Sequence, residues 1–132
     1  MRAYLDANVF VFAALDTGQK GELSRDYLER TTQGKIEAAT SALTLDEILW
    51  VLLRNHRPDY LRPVIEGIYA LPNCTILPVT ADAPRLALEF IEKYKIKPRD
   101  ALHAAIMQQH HLNNIISDDT DFDKIAQIKR HF

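Results

Sequence analysis

Short apolar runs alternate along the chain with longer segments in which apolar residues recur every three or four positions. The short runs are bounded by polar residues, glycine or proline and favour strands, whereas the three-to-four spacing favours helices. Four strands are predicted on this basis, at Arg2–Leu5, Ile36–Thr40, Cys74–Leu77 and Asn114–Ser117.

Six segments between these strands have the spacing of helices. Pro84 and Pro98 suit a first helical turn, because the backbone N–H that proline lacks would have no partner there. Thr80 is predicted to cap the helix that contains Pro84. The predicted helices are Val9–Leu15, Glu22–Thr32, Thr44–Asn55, Pro58 to about Leu71, Thr80 to about Tyr94, and Pro98 to about His111.

The order of these elements predicts an α/β fold. Strands that alternate with helices favour a mainly parallel sheet covered by helices on both faces. The chain has 132 residues, a common size for one domain, and no repeat, linker or change in composition divides it. We therefore expect a single domain over residues 1–132 with four to five short strands.

Composition narrows the possible classes. Hydrophobic residues make up 47% and charged residues 26%, as in ordinary globular proteins. Cys74 is the only cysteine, so an internal disulfide and a thiolate zinc cluster are excluded. No apolar run approaches the roughly 20 residues that span a bilayer, and Asp6 comes too early for a signal peptide. The expected location is the cytoplasm.

The net charge of -2 and the pI near 6.2 do not favour a protein that relies on non-specific attraction to phosphates. A protein of this charge that handles RNA must therefore keep its basic residues apart from its acidic ones. The same basic residues could instead be ordinary solvated helix faces and ends. The candidates for a basic rim are Arg54, His56, Arg57, Lys93, Lys95, Lys97, Arg99, Lys124, Lys129, Arg130 and His131.

Several acids follow the predicted strands or begin the predicted helices. In an open parallel sheet, ligands bind beyond the carboxyl ends of the strands, where loops and helix starts converge. We therefore expect the acids at these positions to lie at one edge of the sheet. They are Asp6 after the first strand, Glu47 and Asp100 in the first turns of helices, and Asp118, Asp119 and Asp121 after the fourth strand.

Each acid taken alone also has a simpler explanation. Glu47 ends the segment Thr44-Leu45-Asp46-Glu47, which fits a capping box. Asp100 could complement the positive end of its helix, and Asp6 could cap the helix that follows it. Either Asp118 or Asp119 could cap a short helix after the fourth strand. These alternatives stay open for each residue by itself.

The acids considered together indicate a metal site. Helix capping does not require separate helix starts to place acids at one edge, and carboxylates within ~6 Å repel one another unless a cation neutralises them. Oxygen ligands without nearby thiolates or paired histidines favour Mg²⁺ or Mn²⁺. These ions keep part of their water shell and can activate a water for attack on a phosphodiester. The pattern therefore predicts nuclease chemistry.

Four segments carry a resemblance to the successive motifs of PIN domains, in the family's order and across nearly the whole chain. They are Tyr4–Phe10, Thr40-Ser41 with Leu45–Leu49, Pro98–Ala105 and Ile116–Asp123. The sequence is especially similar to the VapC group, the ribonuclease toxins of prokaryotic toxin–antitoxin pairs. The resemblance implies a PIN-like three-layer α/β/α sandwich.

The resemblance also implies roles for individual residues. It makes Asp6, Glu47, Asp100 and Asp119 the core acids, with Asp121 as an additional acid. Mg²⁺ or Mn²⁺ would be held by Asp6, Asp100, Asp119 and Asp121, and Asn8 and Ser41 would support these ligands by hydrogen bonding. Asp119-Thr120-Asp121-Phe122 is aligned with the family's acid-x-acid-Phe pattern, which favours Asp119 as the ligand and leaves Asp118 as the alternative.

The function implied is a metal-dependent endoribonuclease that acts as the toxin of a type II pair. The implied partners are the RNA substrate, a cognate antitoxin whose basic residue can enter the acidic pocket, and a second copy of the chain. Ile48–Leu53 is apolar around its whole helix, which indicates either a core helix or an interface. An inactive PIN scaffold is the alternative, and the presence of every expected acid argues against it.

The histidines do not form a competing metal site. His110 and His111 are adjacent, so their side chains point about 100° apart on a helix. His103 lies one turn after Asp100 and could face the site as a proton donor or an RNA contact. A structural role is the more common one for a histidine at such a position.

Overall fold

Five short strands form one sheet in the computed structural model, which describes residues 1–132. All neighbouring strands are parallel, so each connection must cross over the sheet. The strands are β1 (Arg2–Leu5), β2 (Glu37–Ser41), β3 (Cys74–Leu77), β4 (Asn114–Ile116) and β5 (Lys129–His131). Their spatial order is β3-β2-β1-β4-β5, which places β1 at the centre.

Helices make up most of the connections. None of them combines the length and the apolar character needed to cross a membrane. Two short 3-10 helices, Pro58–Tyr60 and Thr120–Lys124, lie in the connections before the fourth α-helix and before β5. The α-helices are α1 (Ala7–Leu15), α2 (Gln19–Thr32), α3 (Ala42–Arg54), α4 (Leu61–Tyr69), α5 (Ala83–Tyr94) and α6 (Pro98–Gln109).

The sheet separates two hydrophobic cores. Successive side chains of a strand point to opposite faces, so Ala3 and Leu5 of β1 pack into one core while Tyr4 packs into the other. The first core is completed by apolar residues of α1 to α4, and the second by those of α5 and α6. This arrangement confirms the predicted three-layer α/β/α sandwich.

The fifth strand was not located by its sequence. Lys129-Arg130-His131 has no apolar alternation and was interpreted only as part of a basic rim. The segment is a strand because its backbone pairs with β4 at the edge of the sheet, and the amide of Ser117 also donates to the carbonyl of His131 at 3.0 Å. Backbone hydrogen bonding does not require particular side chains, so the sequence of this strand has no apolar pattern that would predict it.

Of the six predicted helix starts, only that of α6 at Pro98 coincides with the structure, and three of the other five differ for reasons the structure shows. The N-cap of α3 is Ser41, whose Oγ accepts from the amide of Thr44, so Glu47 lies in the second turn and does not form a capping box. Asp82 precedes α5, and Thr80 does not cap it; the hydroxyl of Thr80 accepts from Gln109 instead. The segment that begins at Pro58 is a 3-10 helix distinct from α4.

Helix α3 is apolar on two sides, but only one of them is covered within the chain. Ile48 and Leu52 are fully buried in the core against α1. On the other side, Trp50 and Leu53 are each 55% exposed, and the guanidinium of Arg54 lies 5.1 Å from the Trp50 ring centre. The second apolar side is therefore unpartnered in the monomer.

Candidate metal centre

Asp6 is held at the carboxyl end of the central strand. It directly follows β1 and is the N-cap of α1, with Oδ1 accepting from the amide of Ala7 at 2.8 Å. Oδ2 accepts from Ser117 Oγ at 2.6 Å and from Asn8 Nδ2 at 3.1 Å. The Asp6 side chain is 8% exposed, so the carboxylate is both buried and fixed in direction.

Glu47 and His103 join Asp6 from two different helices. Glu47 lies in the second turn of α3, and its Oε1 is hydrogen-bonded to Nε2 of His103 on α6. The same Nε2 lies 3.9 Å from Oδ1 of Asp6. These three residues offer ligand atoms that lie within 4.8 Å of one another. They form the inner group of the site.

A second group of acids forms beside the first. Asp100 lies in the first turn of α6, and Asp119 and Asp121 follow β4. Their ligand oxygens lie within 4.8 Å of one another. Asp119 is the N-cap of the second 3-10 helix and accepts from the amide of Asp121 at 2.9 Å. We call these three residues the outer group.

Ser117 connects the two groups, although the sequence analysis did not single it out. Its hydroxyl donates to Asp6 and accepts from the amide of Asp119 at 3.0 Å and from Asn8 Nδ2 at 3.1 Å. The residue is fully buried. The available signal was its position, since it follows β4 directly and precedes the acids.

The carboxylates of the two groups repel one another. Burial raises the pKa of Asp100 to about 6, and the negative charges of Asp119, Asp6 and Asp121 add to this effect. Burial also raises the pKa of Asp6, although His103 and the Ser117 hydroxyl act in the opposite direction. A cation between these side chains would relieve the repulsion.

The donor set fits a hard divalent cation. Oδ2 of Asp100 is buried and has no hydrogen-bond partner in the protein, which leaves a lone pair available for a ligand. Among the acids, Asp121 forms an ion pair with a lysine, Lys124, at 3.2 Å. Asp6, Glu47, Asp100 and Asp119 have no lysine or arginine within 4.0 Å. Carboxylate oxygens of this kind are preferred by Mg²⁺ and Mn²⁺.

The other residues singled out in the sequence occupy different places. Asn8 lies against Asp6 and Ser117, as a supporting residue would. Ser41 does not contact the acids, because its hydroxyl is buried against Tyr4 and the amide of Thr44. Asp118 is turned away and paired with Lys20 at 2.8 Å.

His103 is not an RNA contact. Its side chain is 1% exposed, and both ring nitrogens are hydrogen-bonded within the protein. The sequence indicated that His103 could face the acids. The structure places its ring against them, with Nε2 bonded to Glu47 and 3.9 Å from Oδ1 of Asp6.

The family of the chain follows from comparison with known proteins. The PIN domain model matches residues 3–128, and the chain belongs to this family. Ribonuclease VapC13 of Mycobacterium tuberculosis and a VapC ribonuclease of Mycobacterium bovis are each 29% identical to it over 104 residues. These matches cover 78% of this chain and 79% of each relative.

Solved structures agree on the fold. VapC20 of M. tuberculosis, described as a sarcin-ricin loop cleaving toxin, has a TM-score of 0.77 at 16% identity and covers 94% of this chain and 95% of its own. A toxin–antitoxin complex from Klebsiella pneumoniae has a TM-score of 0.67 at 24% identity, and the match covers 96% of this chain and 95% of that chain. VapBC2 from Rickettsia felis, bound to promoter DNA, has a TM-score of 0.74 at 16% identity, and the match covers 99% of this chain and 98% of that chain.

Replacing Asp100 by Asn is expected to stabilise the metal-free protein near pH 7. The folded carboxyl has a pKa of about 6, whereas an aspartate in an unfolded chain has one of about 4. The folded state therefore binds more protons between these values, and its stability falls as pH rises through about 6. Removing this charge should add about 1–2 kcal/mol at pH 7, after discounting for solvent around a half-buried group.

Urea unfolding at pH 5 and pH 7.5 measures this effect, with exposed Asp46→Asn as the control. The gain of Asp100→Asn should shrink at the lower pH, whereas Asp46→Asn should change little at either. Saturating Mn²⁺ should stabilise the wild type by about 2.7 kcal/mol when its concentration is 100 times Kd. It should stabilise the Asp100→Asn variant less. Equal stabilisation of both proteins by Mn²⁺ would count against the site.

Proposed function

We propose that this protein is a divalent-metal-dependent endoribonuclease and the toxin of a type II toxin–antitoxin pair, active in the cytoplasm. The observation that carries the proposal is the meeting of five carboxylates from four separate parts of the chain at one edge of the sheet. Membership in the PIN family and the ribonuclease names of the relatives support it.

The reaction proposed is hydrolysis of an RNA phosphodiester, in which water attacks phosphorus and the bond to the leaving oxygen breaks. A divalent cation at the carboxylates would supply the positive charge that activates the water and stabilises the leaving oxygen. Asp6, Asp100, Asp119 and Asp121 would hold the cation. Glu47 adds a fifth carboxylate beside Asp6. The five acids take little direct part in proton transfer.

Two lysines beside the acids support an RNA substrate despite the negative net charge. Lys20 lies against Asp118, and Lys124 lies against Asp121. Both lysine side chains are more than half exposed, so their pairs are weak and can exchange for phosphates. Attraction of RNA would then be local to the site and would weaken as salt is added.

Purified protein is expected to cleave single-stranded RNA in Mg²⁺ or Mn²⁺ and to stop when chelator is added. Asp6→Asn and Asp119→Asn should each lower the rate about 100-fold or more, because each removes a carboxylate that would hold the cation. Asp118→Asn is the matched control and should stay within about threefold of wild type. Cleavage is followed with an end-labelled RNA over time.

The same assay separates the enzyme from an inactive scaffold. Wild-type protein that binds RNA but never cleaves it would favour the scaffold. Cleavage that persists in the double variant Asp6→Asn/Asp119→Asn would mean contamination or another active centre. Sequencing of RNA ends after expression in cells, beside Asp6→Asn, would identify the target.

A cognate antitoxin is the proposed protein partner. One solved neighbour is described as a toxin–antitoxin complex, and another as a member of the VapBC family of toxin–antitoxin systems. An apolar groove of about 330 Å³ lies between α1, α2 and α4 and would accept an apolar helical face. Phe10, Ala13 and Ala14 of α1 line the groove, and Asp6 is the N-cap of the same helix. One segment could therefore occupy the groove and extend a basic residue to the acids.

Co-expression with the product of the adjacent gene is expected to yield a complex in which RNA cleavage is suppressed. Val64→Glu, which places a charge in the groove, should weaken the complex at least 10-fold while leaving RNA cleavage by the free protein intact. Surface plasmon resonance measures the affinity. An adjacent gene product that binds Val64→Glu and wild type equally would contradict the groove assignment.

We also propose that the chain forms a homodimer through the exposed side of α3. Trp50 and Leu53 form an apolar surface beside Arg54, a composition typical of interface centres. Burial of the indole and the leucine side chain against a second copy would remove this apolar area from water.

Leu53→Ser is expected to shift the protein toward monomer, raising the dimer Kd about 10-fold or more because the leucine would lose its apolar contact. Leu88→Ser is the matched control, since Leu88 on α5 is also 55% exposed. Sedimentation velocity over a concentration series gives both constants. Dissociation by Leu88→Ser alone would place the interface elsewhere.

A further inference from the structure

A buried chain of polar side chains runs beneath the acids and ends at Glu47. Tyr4 Oη lies 2.6 Å from Ser41 Oγ, 3.2 Å from Thr44 Oγ1 and 2.7 Å from Nδ1 of His103. Nε2 of His103 is bonded to Glu47. The sequence analysis had assigned no role to Tyr4, and His103 was not part of the proposed reaction.

We propose that Tyr4 and His103 are positioning residues that hold the carboxylate of Glu47 in place beside Asp6. The inference rests on the proposed nuclease function, which gives Glu47 its role. The two residues act through Glu47 and do not touch the substrate, since Tyr4 and His103 are at most 1% exposed.

The carboxylate of Glu47 can only accept, so Nε2 of His103 carries a proton and donates it to Glu47. The Tyr4 hydroxyl donates to Nδ1 of a neutral imidazole and accepts from Nδ1–H of an imidazolium, and its bonds to Ser41 and Thr44 adjust accordingly. In both forms His103 presents a donor to Glu47 and not a lone pair to a metal.

Packing holds the imidazole where this donor is needed. The His103 ring lies edge-on between Tyr4 and Phe122, with ring centres 5.5 Å and 6.4 Å away. Its partners come from β1 and α3, so the ring cannot turn without breaking bonds to two elements. Glu47 has a long, flexible side chain, and a fixed donor removes most of its rotamer freedom.

Glu47 differs in this support from Asp119 and Asp6. Asp119 is fixed by a backbone amide of the loop that carries it, as Asp6 is by that of Ala7. Glu47 lies in the second turn of a helix, where the backbone amides are already bonded within the helix. Its orientation therefore depends on a side-chain donor from another element, and His103 is that donor.

Tyr4→Phe tests the proposal with the smallest change, because it removes one hydroxyl and keeps the ring. We expect kcat for RNA cleavage to fall about 10-fold with KM for RNA unchanged, as is typical when a supporting partner of a site residue is lost. Tyr27→Phe is the control and should cleave like wild type, because Tyr27 is another buried tyrosine but packs in the other core.

Variants of His103 separate positioning from packing. His103→Gln keeps an N–H donor that can reach Glu47, whereas His103→Leu keeps only apolar volume. We expect His103→Gln to retain at least several times more activity than His103→Leu. The two variants are compared at matched folded fractions. Equal activity of the two variants, or wild-type kcat in Tyr4→Phe, would overturn the proposal.

A second readout does not depend on cleavage. Proton NMR should detect a slowly exchanging imidazole N–H of His103 that shifts in Tyr4→Phe and in Glu47→Gln and persists in Mg²⁺. An N–H signal that neither variant shifts, or its loss on addition of Mg²⁺, would overturn the proposal, the latter because Nε2 would then be a metal ligand. Wild-type protein without nuclease activity would refute the proposed function, and the N–H signal would still decide this inference.

Discussion

Mutual repulsion among buried and half-buried carboxylates is the constraint around which the site is organised. Five acids converge at the carboxyl edge of the sheet, and burial with like charge raises the pKa of Asp6 and Asp100. A fold stabilised for its own sake would separate or neutralise such groups. Here four of the five acids have no basic partner other than His103, and one buried oxygen of Asp100 has none at all. This arrangement lowers the stability of the metal-free protein and favours the binding of a cation.

The parallel sheet makes this arrangement possible. Its strands end at one edge, and the helices begin there with amides that are free to bind oxygen atoms. Asp6 and Asp119 each cap a helix start while remaining within the acidic groups. Capping and metal binding were alternatives when each residue was considered alone, and the structure shows that the capping bonds fix the same carboxylates that would hold the metal.

The apolar surfaces outside the two cores fit a protein that works with partners. One is the groove between α1, α2 and α4, and the other is the exposed side of α3. They lie on the layer of the sandwich opposite α5 and α6. Helix α3 also carries Glu47 and α1 is capped by Asp6, so the proposed partner surfaces share their helices with the acids.

The sequence by itself determined the α/β class, four of the five strands and the acids that meet, because apolar periodicity and the motifs are local properties of the chain. It did not determine β5, which is held by backbone pairing with β4 and has no apolar pattern. The contacts of Ser117, Tyr4 and His103 were also visible only in the tertiary structure. Their hydrogen bonds join residues up to 111 positions apart, and such partners become neighbours only when the sheet is assembled.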